Sequence, residues 1–471
     1  MRAMQERLEL LPAVLDRLVS VVGSKYAVRD EVEMAAYMRE WRQIWVGRSP
    51  LVLRPGSAEE VSRILAIATE TNTPIVPQSG NTGLVGGQIP FGEVLLSLDR
   101  MTRVRDVDPI DNTMVVEAGA TLKAAQEAAE AAGRVLPLSL ASEGSCRIGG
   151  NLATNAGGVN VIAYGSARDL CLGLEVVLAD GRVWNGLRRL RKDNTGYDLK
   201  DIFIGAEGTL GVITAAVLEI FPQPQERATA FCAVPSPSSA IALLARDLAG
   251  GKIAALELLP RLGLEFTISH FGVRDPFVSP SPWYVLIESW GASGAGASLT
   301  DFLERALEDG VISNATIAAS EAQRKEIWRI REAIVEAQRL EGGSIKNDVA
   351  VPVSHVPDFL TEAARAVLAF MPEARPLPFG HLGDGNIHFN VSQPLGMDKQ
   401  AFLDRWQDIN AIVNEVVLKH GGSISAEHGI GRLKRDAMRK IKSPVELQMM
   451  RDLKRLFDPL NILNPGKVLP E

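Results

Sequence analysis

Apolar positions along this chain follow two periods, one near 3.6 residues and one of two. Leu11, Val14, Leu15, Leu18 and Val22 share one face of a predicted N-terminal amphipathic helix. The stretch SAEEVSRILAIATET opens on a capping box, Ser57 with Glu60 three residues on, and then sets Val61, Ile64, Leu65 and Ala68 on one helical face. TPIVPQ, EVLLSLD and NTMVVEAG read as short strands, TLKAAQEAAEAAG as a helix ended by Gly133, and LEVVLADGRVW as a hairpin turning at Asp180-Gly181. The two prolines of FPQPQER, residues 221–227, mark a domain boundary. Beyond it PWYVLIESWG predicts a strand and VPDFLTEAARAVLAF a helix. DKQAFLDRWQDINAIVNEVVLKHGG predicts one long helix stopped at Gly421-Gly422, and a last helix ends at FDPLNILNPGK. The pattern is α+β, with a helix and first domain over 1–224, a second domain over 225–420 and a C-terminal segment over 421–471.

Composition narrows the class. A chain of 471 residues exceeds what one core fills, since single cores stop growing near roughly 250 to 300 residues. A hydrophobic fraction of 46% and a charged fraction of 23% exclude a disordered or collagenous chain. The net charge of −7 argues against nucleic acid or an anionic membrane as the main partner. Cys146, Cys171 and Cys232 are scattered without a CxxC, which fits a reducing compartment and gives no disulfide or zinc-finger framework. No apolar run reaches the roughly 18 residues of a transmembrane helix. Glu6, Glu9 and Asp16 leave the N-terminus unlike a signal or transit peptide, so a cytoplasmic location is expected.

Candidate chemistry lies in two places. Three glycine-rich stretches stand where strands end: PQSGNTGLVGGQ (77–88), GSCRIGGNLATNAGGVN (144–160) and FIGAEGTLGVIT (203–214). Without a Cβ, consecutive backbone N–H groups can line one concavity and hold a phosphate, and such loops together could wrap a dinucleotide. Neither GxxxxGK[ST] nor a strand-to-helix GxGxxG is present, so no NTPase loop or Rossmann fingerprint is supported. Tight turns between strands are the alternative.

The second place is GHLGDGNIHFN, which holds two of only six histidines. A strand over GNIHFNV puts Asn386, His388 and Asn390 on one face and Ile387, Phe389 and Val391 on the other. A reversal at Gly383, Asp384 and Gly385 would bring His381 beside His388, and SAEHGIGRLK offers Glu427 and His428. Two imidazoles and a carboxylate are a common catalytic zinc set with one position left for water or substrate. A strand histidine satisfied by Asp384 is the alternative. His420, in the last turn of a helix, reads as structural, and His270 and His355 stand in no motif.

The first loop, GGNLATNAGG, GAEGTLGVIT and the closing NPGK together resemble the FAD-binding domain of the vanillyl-alcohol oxidase and p-cresol methylhydroxylase type. That resemblance implies that Pro77, Ser79, Gly80, Asn81, Thr82, Gly83, Leu84, Gly86 and Gly87 cradle the FAD pyrophosphate. It implies that the second loop lines the rest of the cofactor through Gly144, Ser145, Ile148, Gly149, Gly150 and Asn151, then Thr154, Asn155, Gly157, Gly158, Tyr164 and Gly165. Glu207, Gly208 and Ile213 would complete the lining, with Asn464 and Lys467 returning from the C-terminal segment. Some relatives attach FAD through a histidine of the first loop; this chain has none before His270, so noncovalent FAD is expected. Cys146 does not match the attachment cysteine of doubly linked relatives and is expected to be a buried thiol.

FGHLGDGNIHFNV and AEHGIGRLK resemble the paired signatures of FAD-linked D-2-hydroxyacid dehydrogenases, especially the D-2-hydroxyglutarate dehydrogenase branch. The resemblance implies a divalent metal on His381, His388 and Glu427, zinc first with manganese or cobalt as alternatives, and His428 as general base. A 2-hydroxy acid would chelate the metal through its hydroxyl and one carboxylate oxygen, and coordination makes the hydroxyl easier to deprotonate. His428 would take that proton while the Cα hydride passes to flavin N5. Arg331 of IWRIREAIVEA and Lys346 of SIKNDVAVP match positions that meet the substrate's carboxylates, with Asn386 and Asn390 as further substrate contacts. Arg324, Lys325 and Arg329 keep a solvated helix face open as the other reading of Arg331.

Val335, four residues after Arg331, departs from the hydroxyl side chain of the hydroxyglutarate branch. D-malate, and a D-lactate or glycolate dehydrogenase of the same fold, therefore stay open. So do a metallohydrolase with merely structural glycine loops and a flavin-binding subunit without activity of its own. The family implies a separate electron acceptor, an electron-transfer flavoprotein or a quinone, and a homodimer is expected.

Overall fold

The computed structural model describes residues 12–246, 248 and 251–470; Leu11 lies outside them. The chain divides into two compact units. One comprises residues 1–157, 166–223 and 427–471, the other 158–165 and 224–426.

The first unit carries two main sheets. In one, Ala27–Val28, Val52–Leu53, Val94–Ser97 and Ile75–Gln78 lie side by side, antiparallel at the first pairing and parallel at the others. The second is antiparallel throughout, in the order Val104–Asp108, Thr113–Glu117, Val212–Glu219, Cys171–Val177, Val183–Gly186. Val94–Ser97 and Thr113–Glu117 are buried along their whole length, which is why they read as apolar runs rather than as alternation. Helix Ala58–Glu70 buries Val61, Ile64, Leu65 and Ala68 as its spacing predicts. Its start differs in detail: Ser57 Oγ accepts from the Glu60 N–H at 3.3 Å, but the Glu60 carboxylate takes the N–H of Gly56 at 2.7 Å instead of that of Ser57. The reciprocal capping box is at Ser443 and Glu446, opening helix Pro444–Phe457.

The second unit is built on an antiparallel sheet of eight strands. Its order is Asn314–Ile317, Glu226–Val234, Trp283–Gly291, Gly251–Pro260, Arg375–His381, Asn386–Ser392 and Ser344–Ile345, and Asp348–Ala350 also pairs with Asn386–Ser392. Phe231, Phe277 and Tyr284 stack in its core with centroids 5.3 to 6.0 Å apart, beside Leu264, Ile334, Leu377 and Phe379.

Three features of this unit depart from the sequence pattern. Residues 158–165 belong to it because Tyr164 lies 5.6 Å from the Trp290 ring and Ile162 packs on Gly383, contacts made far away in sequence. The chain stays in it past residue 421 because Ser423 pairs with Ala350, N to O at 2.7 and 2.9 Å in the two directions. The expected long helix is two, Lys399–Leu403 and Trp406–Lys419; nothing in the residues at 404 and 405 explains the break.

Candidate active site

Strand register explains how the two histidines meet. Arg375–His381 and Asn386–Ser392 form a hairpin in which His381 stands opposite Asn386. His388, two residues on, projects from the same face, and the imidazole centroids are 5.5 Å apart with their planes at 78°. Ile387, Phe389 and Val391 turn to the other face and are fully buried. The turn needs glycine at 385, where φ is 78° and a Cβ would sit 2.1 Å from the Val351 carbonyl oxygen.

Behind each ring stands a buried acid that the sequence reading missed. Glu257, on Gly251–Pro260, is directly opposite His381; its Oε1 is 2.5 Å from His381 Nδ1 and its Oε2 accepts from Arg331 Nε at 2.6 Å. Burial opposes the charge on Glu257, but His381 and Arg331 outweigh it and hold the carboxyl down to about 2. Asp348 is directly opposite His388, with Oδ1 3.6 Å from Nδ1, and accepts from Asn386 Nδ2 at 3.0 Å. Asp384, the partner in the alternative reading of the strand histidine, accepts from the Asn386 N–H at 3.0 Å. A lone acid inside the apolar run IAALELLP was the available signal for Glu257.

The chain leaves this unit at Ala426. On the next residue, Glu427, a carboxylate oxygen joins a ring nitrogen of His381 and one of His388, the three ligand atoms all within 4.8 Å of one another. Among the described residues this is the one such group of three. The donor set suits a divalent metal, and the carboxylate behind His381 is the support that metal-bound imidazoles use. His428 follows, partly buried.

Arg331 is not on a solvated face. Arg324, Trp328 and Arg331 share one face of helix Glu321–Glu332; Arg324 and Trp328 reach buried Glu288 at 3.2 and 2.5 Å, and Arg331 reaches Glu257. The Arg331 guanidinium lies 4.7 Å over the Phe379 ring and is held through Nε, with no hydrogen bond from its terminal nitrogens to any described residue. Asn386 is buried, and its Oδ1 has no hydrogen-bond partner among the described residues. Asn390, also buried, donates to Gln338 Oε1 at 3.0 Å. Lys346 is partly buried. The remaining histidines are satisfied elsewhere: His270 on Glu341 at 2.7 Å, His420 on Glu362 at 3.0 Å, and His355 on the His420 carbonyl at 3.1 Å.

In the first unit the glycine loops touch one another. A Cβ on Gly80 would sit 2.4 Å from the Ser145 carbonyl oxygen, and one on Gly149 2.7 Å from Ala118 Cβ. Glu207 adopts φ 50° and is buried, but its carboxylate faces the C-terminal loop, accepting from the N–H of Ile430 at 2.7 Å and of Gly431 at 2.9 Å. Burial pushes its carboxyl up to about 7 against the pull of those two donors. Asn464 Nδ2 donates to the carbonyls of Gly87 and Glu207 at 2.9 and 2.8 Å, so first loop, third loop and C-terminal segment are laced together. Asn464 Oδ1, also buried, has no hydrogen-bond partner among the described residues. Lys467 Nζ is 3.3 Å from Glu93. Cys146 is buried and its thiol pushed up by that burial. A close-packed glycine cradle with an orphaned amide oxygen fits a large polar cofactor.

Comparison with known proteins defines the class. A model of the FAD binding domain matches residues 49–186, and one of the C-terminal domain of FAD linked oxidases matches residues 223–468. The chain belongs to the FAD-linked oxidase family and is an FAD-dependent oxidoreductase. The D-2-hydroxyglutarate dehydrogenase of Bos taurus mitochondria is 41% identical over 94% of this chain and 81% of its own length. That of Stutzerimonas stutzeri is 35% identical over 97% and 99%, and a probable mitochondrial one of Oryza sativa subsp. indica 40% over 96% and 81%. Among solved structures, p-cresol methylhydroxylase with substrate bound has a TM-score of 0.76 at 17% identity, covering 97% of this chain and 96% of its own. Alkyldihydroxyacetonephosphate synthase has 0.74 at 18%, covering 97% and 85%. These two show the fold. The metallohydrolase reading, which left the glycine loops without a ligand, is set aside by the FAD-binding match. No described helix is long and apolar enough to cross a membrane.

Proposed function

We propose that this chain oxidises a D-2-hydroxy acid, D-2-hydroxyglutarate foremost, to the 2-oxo acid in a metal-dependent reaction. The observation that carries the proposal is the grouping of His381, His388 and Glu427 within 4.8 Å, in a chain 35 to 41% identical to D-2-hydroxyglutarate dehydrogenases. His381, His388 and Glu427 hold the metal. Bound FAD would supply a hydride acceptor, and a metal held there would supply polarisation of the substrate's hydroxyl. A ring nitrogen of His428 takes the hydroxyl proton. The terminal nitrogens of Arg331 and the ammonium of Lys346 meet the carboxylate at the far end of the acid, and the orphaned Oδ1 of Asn386 is a further polar contact. The glycine loops hold FAD noncovalently, and electrons pass to a separate carrier, an electron-transfer flavoprotein or a quinone.

Val335 favours a second reading, a shorter acid such as D-lactate or glycolate, because it puts an apolar side chain four residues after Arg331, where the hydroxyglutarate branch carries a hydroxyl. Anaerobic mixing of the purified protein with D-2-hydroxyglutarate, D-malate and D-lactate in turn, before and after EDTA, decides among these. Bleaching of the flavin band by D-2-hydroxyglutarate, lost on chelation and restored by zinc, manganese or cobalt, is the expected result. Bleaching that ignores chelation overturns the metal; fastest bleaching by D-lactate overturns the dicarboxylate.

A further inference from the structure

The most buried acid at the metal group is one that no signature contains. Glu257 lies at the centre of the second unit's sheet with no exposed surface, and it is divided between two partners, one per oxygen. Both partners lie on elements far from it in sequence: His381 across a strand pairing, and Arg331 on the helix that covers this face. Only a carboxylate meets the demand at this point. Arg331 Nε is always a donor, and a neutral His381 that binds a metal through Nε2 must carry its proton on Nδ1, so both neighbours donate and both oxygens must accept.

Two consequences follow for the groups on either side. With Nδ1 on Glu257, Nε2 is the nitrogen His381 would offer a metal, and the ring is turned by a bond 2.5 Å long. With Nε on Glu257 and Cζ 4.7 Å from the Phe379 ring centroid, the guanidinium is held at two points and presents its terminal nitrogens as a fork.

We propose that Glu257 is a positioning residue that ties metal binding to recognition of the substrate's far carboxylate, through His381 on one oxygen and Arg331 on the other. The inference rests on the metal and dicarboxylate readings above. It predicts that neutralising one buried side chain weakens two separate properties together, although that side chain touches neither metal nor substrate. An amide at 257 offers one acceptor and one donor. Either His381 or Arg331 then meets an N–H and turns away.

The test uses the full-length FAD-loaded protein, with zinc affinity measured by competition with a chromophoric chelator in wild type, E257Q and H381A. In E257Q we expect zinc to bind about 10 to 100-fold more weakly, the usual consequence of losing the carboxylate behind a metal-bound imidazole. At saturating zinc, we expect the KM for D-2-hydroxyglutarate to rise about tenfold more than the KM for D-lactate, which lacks the second carboxylate. A side chain that merely held the sheet together would not separate the two acids. Wild type that binds one zinc while E257Q binds it within twofold, with the KM ratio unmoved, overturns the proposal and leaves the metal reading standing. Wild type that binds zinc no better than H381A overturns the metal reading, and the inference with it. If E257Q does not retain FAD, E257D decides the matter. It keeps the charge but withdraws the oxygens by one methylene, so zinc affinity and KM ratio both equal to wild type would overturn the proposal.

Discussion

The two units build their sites by opposite means. In the first, recognition is made of backbone: side chains are missing at Gly80, Gly149 and Gly87 so that loops can approach one another, and the polar groups in play are N–H and C=O. In the second it is made of side chains, whose directions are set by strand register and whose partners are buried acids directly across the sheet. A site of the first kind is damaged by adding atoms. One of the second kind is damaged by removing them, with the scaffold left intact.

The largest expected effect tests that separation. Replacing His388 by alanine removes one of the three residues proposed to hold the metal and leaves the apolar side of its strand untouched, since Ile387 and Phe389 face the other way. Turnover should fall by about 10³-fold or more, on the scale of lost metal polarisation and proton transfer combined. FAD content, read as flavin absorbance per protein, should stay at the wild-type value. Loss of flavin in this variant would show that the two sites are not separable.

The same contrast explains what the sequence made legible. His381, His388, Asn386 and Asn390 could be read because a strand's period of two puts alternate residues on one face, and glycine at 385 announced the reversal. The acids behind them could not. Glu257 is 124 residues from His381, and nothing local says which strand lies next to which. In the first unit the glycine loops stood out as composition, yet the lacing that unites them joins residues more than 200 apart: Glu207 with Ile430 and Gly431, Asn464 with Gly87. The Glu207 carboxylate accepts from the backbone that follows His428, a pairing that no local pattern announces. The signal it did carry was chemical, a lone acid in the glycine-rich loop FIGAEG. Helix faces were legible wherever the apolar stripe met a core, as over Ala58–Glu70. Membership of residues 158–165 in the second unit was not, because it depends on Trp290 and Gly383.

An intermediate effect is expected at Glu207, a point where the first unit, as at Asn464, does rely on a side chain. Its folded-state carboxyl is raised to about 7 from an ordinary value of 4.5, burial being the dominant cause. Below pH 4.5 the group is protonated folded or unfolded and contributes nothing to the pH dependence of stability. Between there and 7 the folded state holds the proton that the unfolded state releases, so stability falls as pH rises. Above 7 the full penalty applies, about 3 kcal/mol at roughly 1.4 kcal/mol per unit. The melting temperature of the FAD-loaded protein should therefore decline by a few degrees between pH 5 and 7.5. In E207Q that part of the slope should vanish; equal slopes in the two proteins would show that the Ile430 and Gly431 donors keep the carboxylate charged at no cost.

The smallest effect, and the sharpest test of a site made from missing atoms, is one methyl group. A Cβ at Gly80 meets the Ser145 carbonyl oxygen at 2.4 Å and Cys146 Cα at 3.0 Å, both backbone atoms that no rotamer change can move. Overpacking of this kind costs about 1 to 3 kcal/mol. If the strain is relieved by parting the first and second loops, Gly80→Ala should weaken FAD by about 5 to 150-fold and leave zinc affinity at the wild-type value. Gly144→Ala adds the same methyl to the second loop at a position where a Cβ meets no protein atom within 4 Å, so any loss of flavin there would come from the cofactor itself and not from the approach of the loops. Retained flavin in Gly144→Ala with depleted flavin in Gly80→Ala would locate the requirement in the approach of the two loops. Equal retention in both would mean that the cradle yields, and that the glycines of the first loop serve its turns rather than its contact with the second.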